Sequence, residues 1–342
     1  MQGIVFTGNR TAELREFPDP EPGHGEVVVR IRASGMCGSD LHAYRAATAA
    51  TDAGTPVIQG HEPCGVVESV GPGVPSHVAA PGDRVMVHHY WGCGVCVDCR
   101  SGWPQMCSGI EPRIATLNEH GGHAPLMKLP AIQTMPLPDV LSFQAGAALG
   151  CGTGTAWGAL VRLGDVAGKT LLVVGQGPVG ASVTMLGAAL GARVIAVDIA
   201  PSRLESARRF GAAATVNPAE EDVVEAVRSL TGGRGAELLV ETSGSTVAAA
   251  QALDALATWG KACLVGLGAQ IGFNTRDTLR RQLTILTSWT MSTVEQMRCT
   301  EFVVEHALPL DDLFSHSWDL SQAAEAYKWF DAQTDGKGVF LP

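Results

Sequence analysis

A two-domain α/β chain is predicted, with a doubly wound, six-stranded parallel sheet inserted into an irregular, β-rich, barrel-like domain. Three observations predict it. Short strands punctuated by Gly and Pro, with no helical period, fill roughly the first 145 residues. From near Ser142 strands and helices alternate, the pattern of a parallel sheet with helical crossovers. After Trp289 the pattern is mixed again, so 289–342 is expected to cross back and complete the domain begun by 1–145, leaving 146–288 as the insert.

In the first domain the apolar runs Glu26–Arg32, Gly65–Val70 and Asp83–Val87 read as strands. Turn clusters such as Pro20-Glu21-Pro22-Gly23 and Gly71-Pro72-Gly73 separate them, and 54–60 and 113–122 read as surface loops. In the insert, strands are expected near 169–174, 193–197, 214–216, 237–241, 261–265 and 283–287. Ala181–Leu190, Ser202–Phe210 and Asp222–Thr231 have helical character. In the tail, Thr293-Val294-Glu295-Gln296 reads as a capping box opening a helix to about His306. Ser321 is expected to cap a helix running through Gln333, and Val339-Phe340-Leu341 to form a last strand.

At 342 residues the chain can build two cores of ordinary size. Its 46% hydrophobic and 17% charged residues describe a globular protein. The net charge of −10 offers no footprint for nucleic acid or an anionic membrane surface. No apolar run reaches the length of a membrane helix, and Met1–Gly8 lacks the basic and apolar regions of a signal peptide. Nine cysteines, four of them crowded between Cys93 and Cys107, then favour metal ligation in a reducing cytoplasm over disulfides.

Lys169–Val174 is a wholly apolar strand, and Gly175-Gln176-Gly177-Pro178-Val179-Gly180 follows at once. A helix and a second strand come next, the latter ending at Asp198. A glycine trio alone says little in a chain with 41 glycines. Set between strand and helix, with an acid about 20 residues on, it is the dinucleotide-binding fingerprint of a Rossmann unit. The glycines serve, in order, the tight turn, backbone approach to a pyrophosphate, and helix packing on strand. The helix N-terminus offers free N–H groups to the phosphates. Asp198 would accept from the ribose hydroxyls and repel a 2′-phosphate, favouring NAD over NADP.

Cys93-x2-Cys96-x2-Cys99-x7-Cys107 is the most specific local signal. Four thiolates can close a tetrahedral shell around zinc and leave no position for substrate, which makes such a site structural. Disulfides and an iron–sulfur cluster are the alternatives. His88 and His89 beside it read as cleft or strand residues. Gly35-Met36-Cys37-Gly38-Ser39-Asp40-Leu41-His42 and Gly60-His61-Glu62-Pro63 place a cysteine and a histidine in glycine-flanked loops at strand ends, where catalytic groups are displayed. Cys151 lies in Gly150-Cys151-Gly152 near the domain change; Cys64, Cys263 and Cys299 have no ligand spacing and read as core.

Together these motifs give the chain a resemblance, over its whole length, to the zinc-dependent medium-chain alcohol dehydrogenases and their polyol and threonine dehydrogenase-like branch. The resemblance implies a GroES-like catalytic domain beside the Rossmann domain, NAD as coenzyme and two zinc ions per chain. It implies Cys37, His61 and Cys151 as ligands of a catalytic zinc open to substrate, with Glu62 beside the metal. By the same resemblance Ser39 would take the alcohol proton, the nicotinamide ribose would pass it on, and His42 would deliver it to solvent. Thr155 and Val179 match the family positions that press on the nicotinamide, and Gly266-Leu267-Gly268 matches the loop that holds its carboxamide. Arg203 either lies over the adenine or is a solvated helix residue. Tyr44, His89, Trp91 and Trp289 are candidate pocket walls, and Trp157 packs. The sequence departs from the family at Gly121-Gly122-His123-Ala124-Pro125, where relatives carry an acid and an aromatic. The implied reaction interconverts a secondary alcohol or vicinal diol and its carbonyl, with threonine-like hydroxy amino acids or a zinc-free reductase of quinones or enones as alternatives. A small-molecule substrate and a homodimer or homotetramer, paired through the outer edge of the inserted sheet, are the expected partners.

Overall fold

The computed structural model describes residues 1–48, 56–272, 274–333 and 336–342; part of the loop expected at 54–60 lies outside them. The chain divides into two compact units, Met1–Cys151 with Ser292–Pro342, and Gly152–Met291. Among the described residues no helix is long and apolar enough to cross a membrane.

The first unit is built on a seven-stranded sheet. Its path runs Phe314–Trp318, Lys337–Phe340, Glu26–Gly35, Glu62–Val70, Arg84–Val87, Thr134–Pro136, with Leu126–Pro130 also pairing on Glu26–Gly35. In Glu26–Gly35, Val27, Val29 and Ile31 point into a core shared with Val67, Val85 and Met127, while Arg30 is exposed. The tail does return to this unit: Val339 pairs with Gly35 and Phe340 with Ser34 in antiparallel register. The hairpin of Gln2–Gly8 and Thr11–Glu16 was not legible beforehand, because its strand pattern is weak. Its Ile4 and Phe6 pack with Tyr44 and Tyr327 in a second core.

Several expectations change. The segment 113–122 is no simple surface loop: Arg113–Ile114 pairs with Tyr90–Trp91, and Ala115, Gly121 and Gly122 are buried. The helix of the tail, Thr293–Glu305, is capped one residue earlier than the expected box, by Ser292 Oγ accepting from Glu295 N at 3.0 Å. Thr293 is already helical, so Ser292 is the last residue free to take the extended backbone that a cap requires. Likewise Asp319, not Ser321, caps the final helical segment; its box with Gln322 opens a 3₁₀ turn that continues into Ala323–Asp331. The helix Phe143–Gly150 belongs with the first unit, packing on Glu26–Gly35, Glu62–Val70 and Arg84–Val87, so residues 146–151 stand on that side of the division.

The second unit holds a six-stranded, all-parallel sheet in the order Ala214–Val216, Arg193–Val197, Thr170–Val174, Ala236–Glu241, Leu256–Leu264, Thr284–Thr287. The sequence order reverses beside Thr170–Val174, the switch point where such sheets bind ligands. The register aligns Val174 with Val197 and Glu241, Glu241 with Leu264, and Leu264 with Thr287. The loops after these strands therefore share the carboxyl end of the sheet.

Replacing Ser292 by Ala removes the cap of a helix whose Gln296 reaches the core of the first unit. A loss of about 1 kcal/mol, roughly 2–4 °C in melting temperature, is expected by thermal unfolding.

Candidate metal and coenzyme sites

Glu26–Gly35 and Glu62–Val70 are antiparallel, with Gly35 opposite Glu62. Cys37, two residues past one strand, and His61, one residue before the other, therefore emerge at the same end of the sheet. The third donor arrives from elsewhere. Ser142 caps the helix Phe143–Gly150 through the Ala145 N–H, and Cys151 follows its last turn. His89 Nδ1 reaches the Gly150 carbonyl at 3.2 Å and ties that turn to the sheet. One ligating atom each from Cys37, His61, Glu62 and Cys151 lies within 4.8 Å of the other three, and all four residues are buried.

The donor set suits a metal such as zinc: two soft thiols, an imidazole and an adjacent carboxylate. His61 Nδ1 sits 2.9 Å from Asp40 Oδ1, which leaves Nε2 free to ligate. The Cys37 thiol is held well below its usual range, first by the hydrogen bond from Cys151, with burial opposing and His61 assisting. Cys151 is correspondingly raised by Cys37 and by burial, so Cys37 loses its proton first. Burial pushes the Glu62 carboxyl up to about 7 against the pull of Lys337. Lys337, itself almost wholly buried, contacts Glu62 Oε2 and donates to the Met36 carbonyl at 2.9 Å. Glu62 Oε1 has no hydrogen-bond partner among the described residues. Ser39 Oγ lies 3.3 Å from Cys37 Sγ and 3.4 Å from His61 Nε2, directly against the donors. Ser39 occupies the N-cap position of Asp40–Arg45 but makes no side-chain cap, so its hydroxyl is uncommitted to the helix. His42, three residues on, is exposed.

The second cluster is Cys93, Cys96, Cys99 and Cys107, whose sulfurs also lie within 4.8 Å of one another. All nine cysteines are free, which removes the disulfide alternative. Backbone N–H groups of Cys96, Cys99 and Cys93 donate to the sulfurs of Cys93, Cys96 and Cys107, favouring thiolates. The Cys99 N–H is the leading cause of a Cys96 thiol lowered to about 5. A Cβ on Gly92 would lie 2.7 Å from Cys99 Sγ, so the lobe leaves the sulfurs just enough room to converge.

In the second unit Gly175 ends its strand at φ +86°, and a Cβ on Gly180 would sit 1.7 Å from the Gly175 carbonyl oxygen. Only glycine allows that close helix–strand approach. A Cβ on Gly177 would meet nothing within 4 Å, the open cradle a pyrophosphate needs. Pro178 and Val179 open the helix Pro178–Ala189. Asp198 accepts from Gln176 N at 2.6 Å and Ala200 N at 2.9 Å, and Arg203 lies 3.8 Å away. Arg203 is mostly buried on this carboxylate and does not belong to a solvated helix face. Gly266 and Leu267 pack backbone to backbone against Gly244. Thr155 is buried, and its hydroxyl has no partner among the described residues.

The four candidate pocket walls fare differently. Tyr44 packs in the aromatic core on Phe6 and Tyr327, and Trp91 lies in the core beneath the sheet, so neither is a wall. His89 stays beside the site, its ring centre 5.0 Å from that of His61. Trp289 belongs to the second unit and is about half exposed. Cys64, Cys263 and Cys299 are core. The functional shell also contains groups that sequence reasoning missed. Asp40 stands in the sequence only as part of the Cys37–His42 motif, although an acid three residues past Cys37 is a signal for a partner to a ligand. Lys337 stands between Gly336 and Gly338, just ahead of the apolar Val339-Phe340-Leu341, and its position gives no signal of a buried role.

This architecture defines a class: a nucleotide-binding unit joined in one chain to a β-rich unit with one closed and one open sulfur-rich donor set. The alcohol dehydrogenase GroES-like domain family matches residues 23–139, and the zinc-binding dehydrogenase family matches 178–306. An uncharacterized zinc-type alcohol dehydrogenase-like protein of Escherichia coli (strain K12) is 35% identical, covering 99% of this chain and 98% of its own. Sorbitol dehydrogenase of Bacillus subtilis (strain 168) is 32% identical over 79% of this chain and 76% of its own. A crystal structure of an NAD-dependent alcohol dehydrogenase superposes with a TM-score of 0.89 at 31% identity, covering 100% of both chains. The chain belongs to the zinc-dependent medium-chain alcohol dehydrogenase family. It is an NAD-dependent oxidoreductase of alcohols with the GroES-like and Rossmann folds of that family.

Burial lowers His88 to about 4, where Gln296 Oε1 holds its Nδ1 at 2.8 Å, and likewise lowers His123 to about 4. The unfolded chain, with histidines near 6.5, binds more protons in between, so stability rises with pH. The contribution is complete above about 6.5 and is lost as pH falls toward 4, on the order of 3 kcal/mol per histidine. Melting temperature followed from pH 7.5 to 4.5 is expected to fall, and less steeply in His88→Gln than in the parent. Parallel slopes would count against this assignment.

Proposed function

We propose that the protein interconverts a secondary alcohol, in particular a vicinal diol or polyol, and its ketone or aldehyde, using NAD and one catalytic zinc per chain. The observation that carries this reading is the convergence of Cys37, His61 and Cys151 with Ser39 Oγ against the same atoms. Zinc supplies polarisation of the substrate oxygen, and NAD supplies the hydride acceptor. Cys37, His61 and Cys151 would hold the metal, and Glu62, anchored by Lys337, would stand beside it as an alternate ligand. Ser39 would accept the substrate hydroxyl proton at Oγ while giving up its own hydrogen to a relay that ends at His42. His42, on the same short helix and exposed, passes protons to solvent, a task that suits an imidazole at neutral pH. Cys93, Cys96, Cys99 and Cys107 would hold a second, structural zinc that clamps their lobe.

For the coenzyme, Gly175, Gly177, Pro178, Val179 and Gly180 form the pyrophosphate cradle at the helix N-terminus. Asp198 selects the ribose, with Arg203 beside it; Thr155, Gly266 and Leu267 contact the nicotinamide. Sorbitol dehydrogenase among the relatives supports the diol reading. The strand Thr284–Thr287 ends the sheet order, which supports a homodimer or homotetramer assembled along that edge.

A panel of vicinal diols, sugar alcohols, simple secondary alcohols and threonine, each with NAD and NADP, tests the substrate class; turnover confined to threonine would overturn it. Selective chelation of the open site is expected to abolish turnover while coenzyme binding and the far-ultraviolet dichroism persist, and undiminished turnover would sink the metal role. Asp198→Ala is expected to shift kcat/KM toward NADP by roughly tenfold or more, about 1.4 kcal/mol, measured against NAD on one substrate.

A further inference from the structure

Behind His61 a line of buried polar groups leads away from the metal donors, and the roles above use only its first member, Asp40. Asp40 Oδ1 faces His61 Nδ1 at 2.9 Å. Asp40 Oδ2 accepts from the Cys37 backbone N–H at 2.9 Å and from the Tyr327 hydroxyl at 3.3 Å. The Tyr327 oxygen lies 2.8 Å from His123 Nε2, and His123 Nδ1 lies 2.7 Å from Ser34 Oγ. Tyr327, His123 and Ser34 are wholly buried.

A single assignment of hydrogens gives every atom of this line a complementary partner. Tyr327 donates to the carboxylate, so its oxygen must accept from His123 Nε2–H. His123 Nδ1 is then a lone pair and accepts from Ser34 Oγ–H. On the other side His61 donates Nδ1–H to the same carboxylate. Burial keeps His123 neutral, as the assignment requires. The hydrogens all run toward Asp40, and each bond polarises the next.

The backbone holds this arrangement. Gly122 N donates to the Gly60 carbonyl at 2.6 Å and His123 N to the Gln59 carbonyl at 2.8 Å, so His123 is strapped to the segment that carries His61. Gly60 has φ +89°, and a Cβ there would lie 2.2 Å from His123 Nδ1. The missing side chain before His61 is what admits the imidazole.

We propose that Tyr327 and His123 are positioning residues: they fix the Asp40 carboxylate, which holds the His61 ring with Nε2 directed at the metal. The proposal rests on the reading of Cys37, His61 and Cys151 as a metal shell. The alternative is that the pair only fills the core.

The test uses the full-length zinc protein, Tyr327→Phe, His123→Leu and His123→Gln. Metal per chain is followed against graded chelator, the open site is also loaded with cobalt(II) for its visible spectrum, and kcat and KM are measured separately. Zinc on the four-cysteine lobe reports folding within each sample. Tyr327→Phe, which loses one oxygen, is expected to weaken the open site by about tenfold or more, as loss of a partner behind a metal ligand does. Its cobalt bands are expected to shift, with kcat falling more than KM rises. His123→Leu is expected to weaken the metal less, because Tyr327 still donates to Asp40, although it strands the buried Ser34 hydroxyl, leaves the Tyr327 oxygen without its donor and lowers melting temperature more. His123→Gln, whose amide can donate to Tyr327, is expected to recover most of the metal affinity. If Tyr327→Phe does not fold, the contrast between the two His123 variants decides. Parental chelator resistance and cobalt spectra in folded Tyr327→Phe and His123→Leu would overturn the proposal. A parent protein that holds zinc only on the four-cysteine lobe would instead overturn the metal reading beneath it.

Discussion

The antiparallel pairing of Glu26–Gly35 with Glu62–Val70 is the constraint on which the open donor set depends. Neither Cys37 nor His61 lies within a strand; each hangs from the end of one, and the facing of Gly35 and Glu62 sets how closely they meet. A slip of one residue would turn Glu62 to the other face and carry His61 away from Cys37. The pairing resists such a slip because Val27, Val29, Ile31 and Val67 are all buried in the same core, where a shift would expose them. Two register irregularities, between Val28 and Val29 and between Ile31 and Ala33, adjust the twist before the strand reaches Gly35. The return of the tail strand Lys337–Phe340 onto the same strand end closes the other side and delivers Lys337.

That delivery explains how so many ionisable groups remain in a dry interior. An isolated buried charge costs several kcal/mol, and breaking a buried pair leaves such a charge behind. Here Glu62 is matched by Lys337, Lys337 by the Met36 carbonyl, and Asp40 by three donors. A cation held among Cys37, His61 and Cys151, as proposed above, would complete the balance by favouring the thiolate forms. The polar network therefore does two things at once: it keeps the ligands buried and holds them still.

The Rossmann unit solves a different problem with plainer means. Every strand of its sheet is parallel, and the alignment of Val174, Val197, Glu241, Leu264 and Thr287 is enough to gather five loops at one end. Side chains matter there mostly by being absent, as at Gly177 and Gly180, or by bracing a loop. Glu241 is such a brace, accepting from the Ser243 and Gly244 N–H groups beside Gly266.

The sequence by itself determined the fold class, all six strands of the inserted sheet, the glycine cradle with its acid, and both cysteine patterns. These are local signals: an apolar run, a glycine between strand and helix, and a fixed spacing of thiols each follow from residues close together in the chain. Only the tertiary structure decided what stands behind the ligands. Lys337 reaches Glu62 across most of the chain length, Tyr327 reaches Asp40, and His123 reaches Ser34. It also decided that Tyr44 and Trp91 are core and that Ser292 and Asp319 are the caps. Spacing along a chain records which residues are neighbours in sequence. The partner of a buried polar group is chosen by which strands pair and in what register, and that is settled only when the whole core closes.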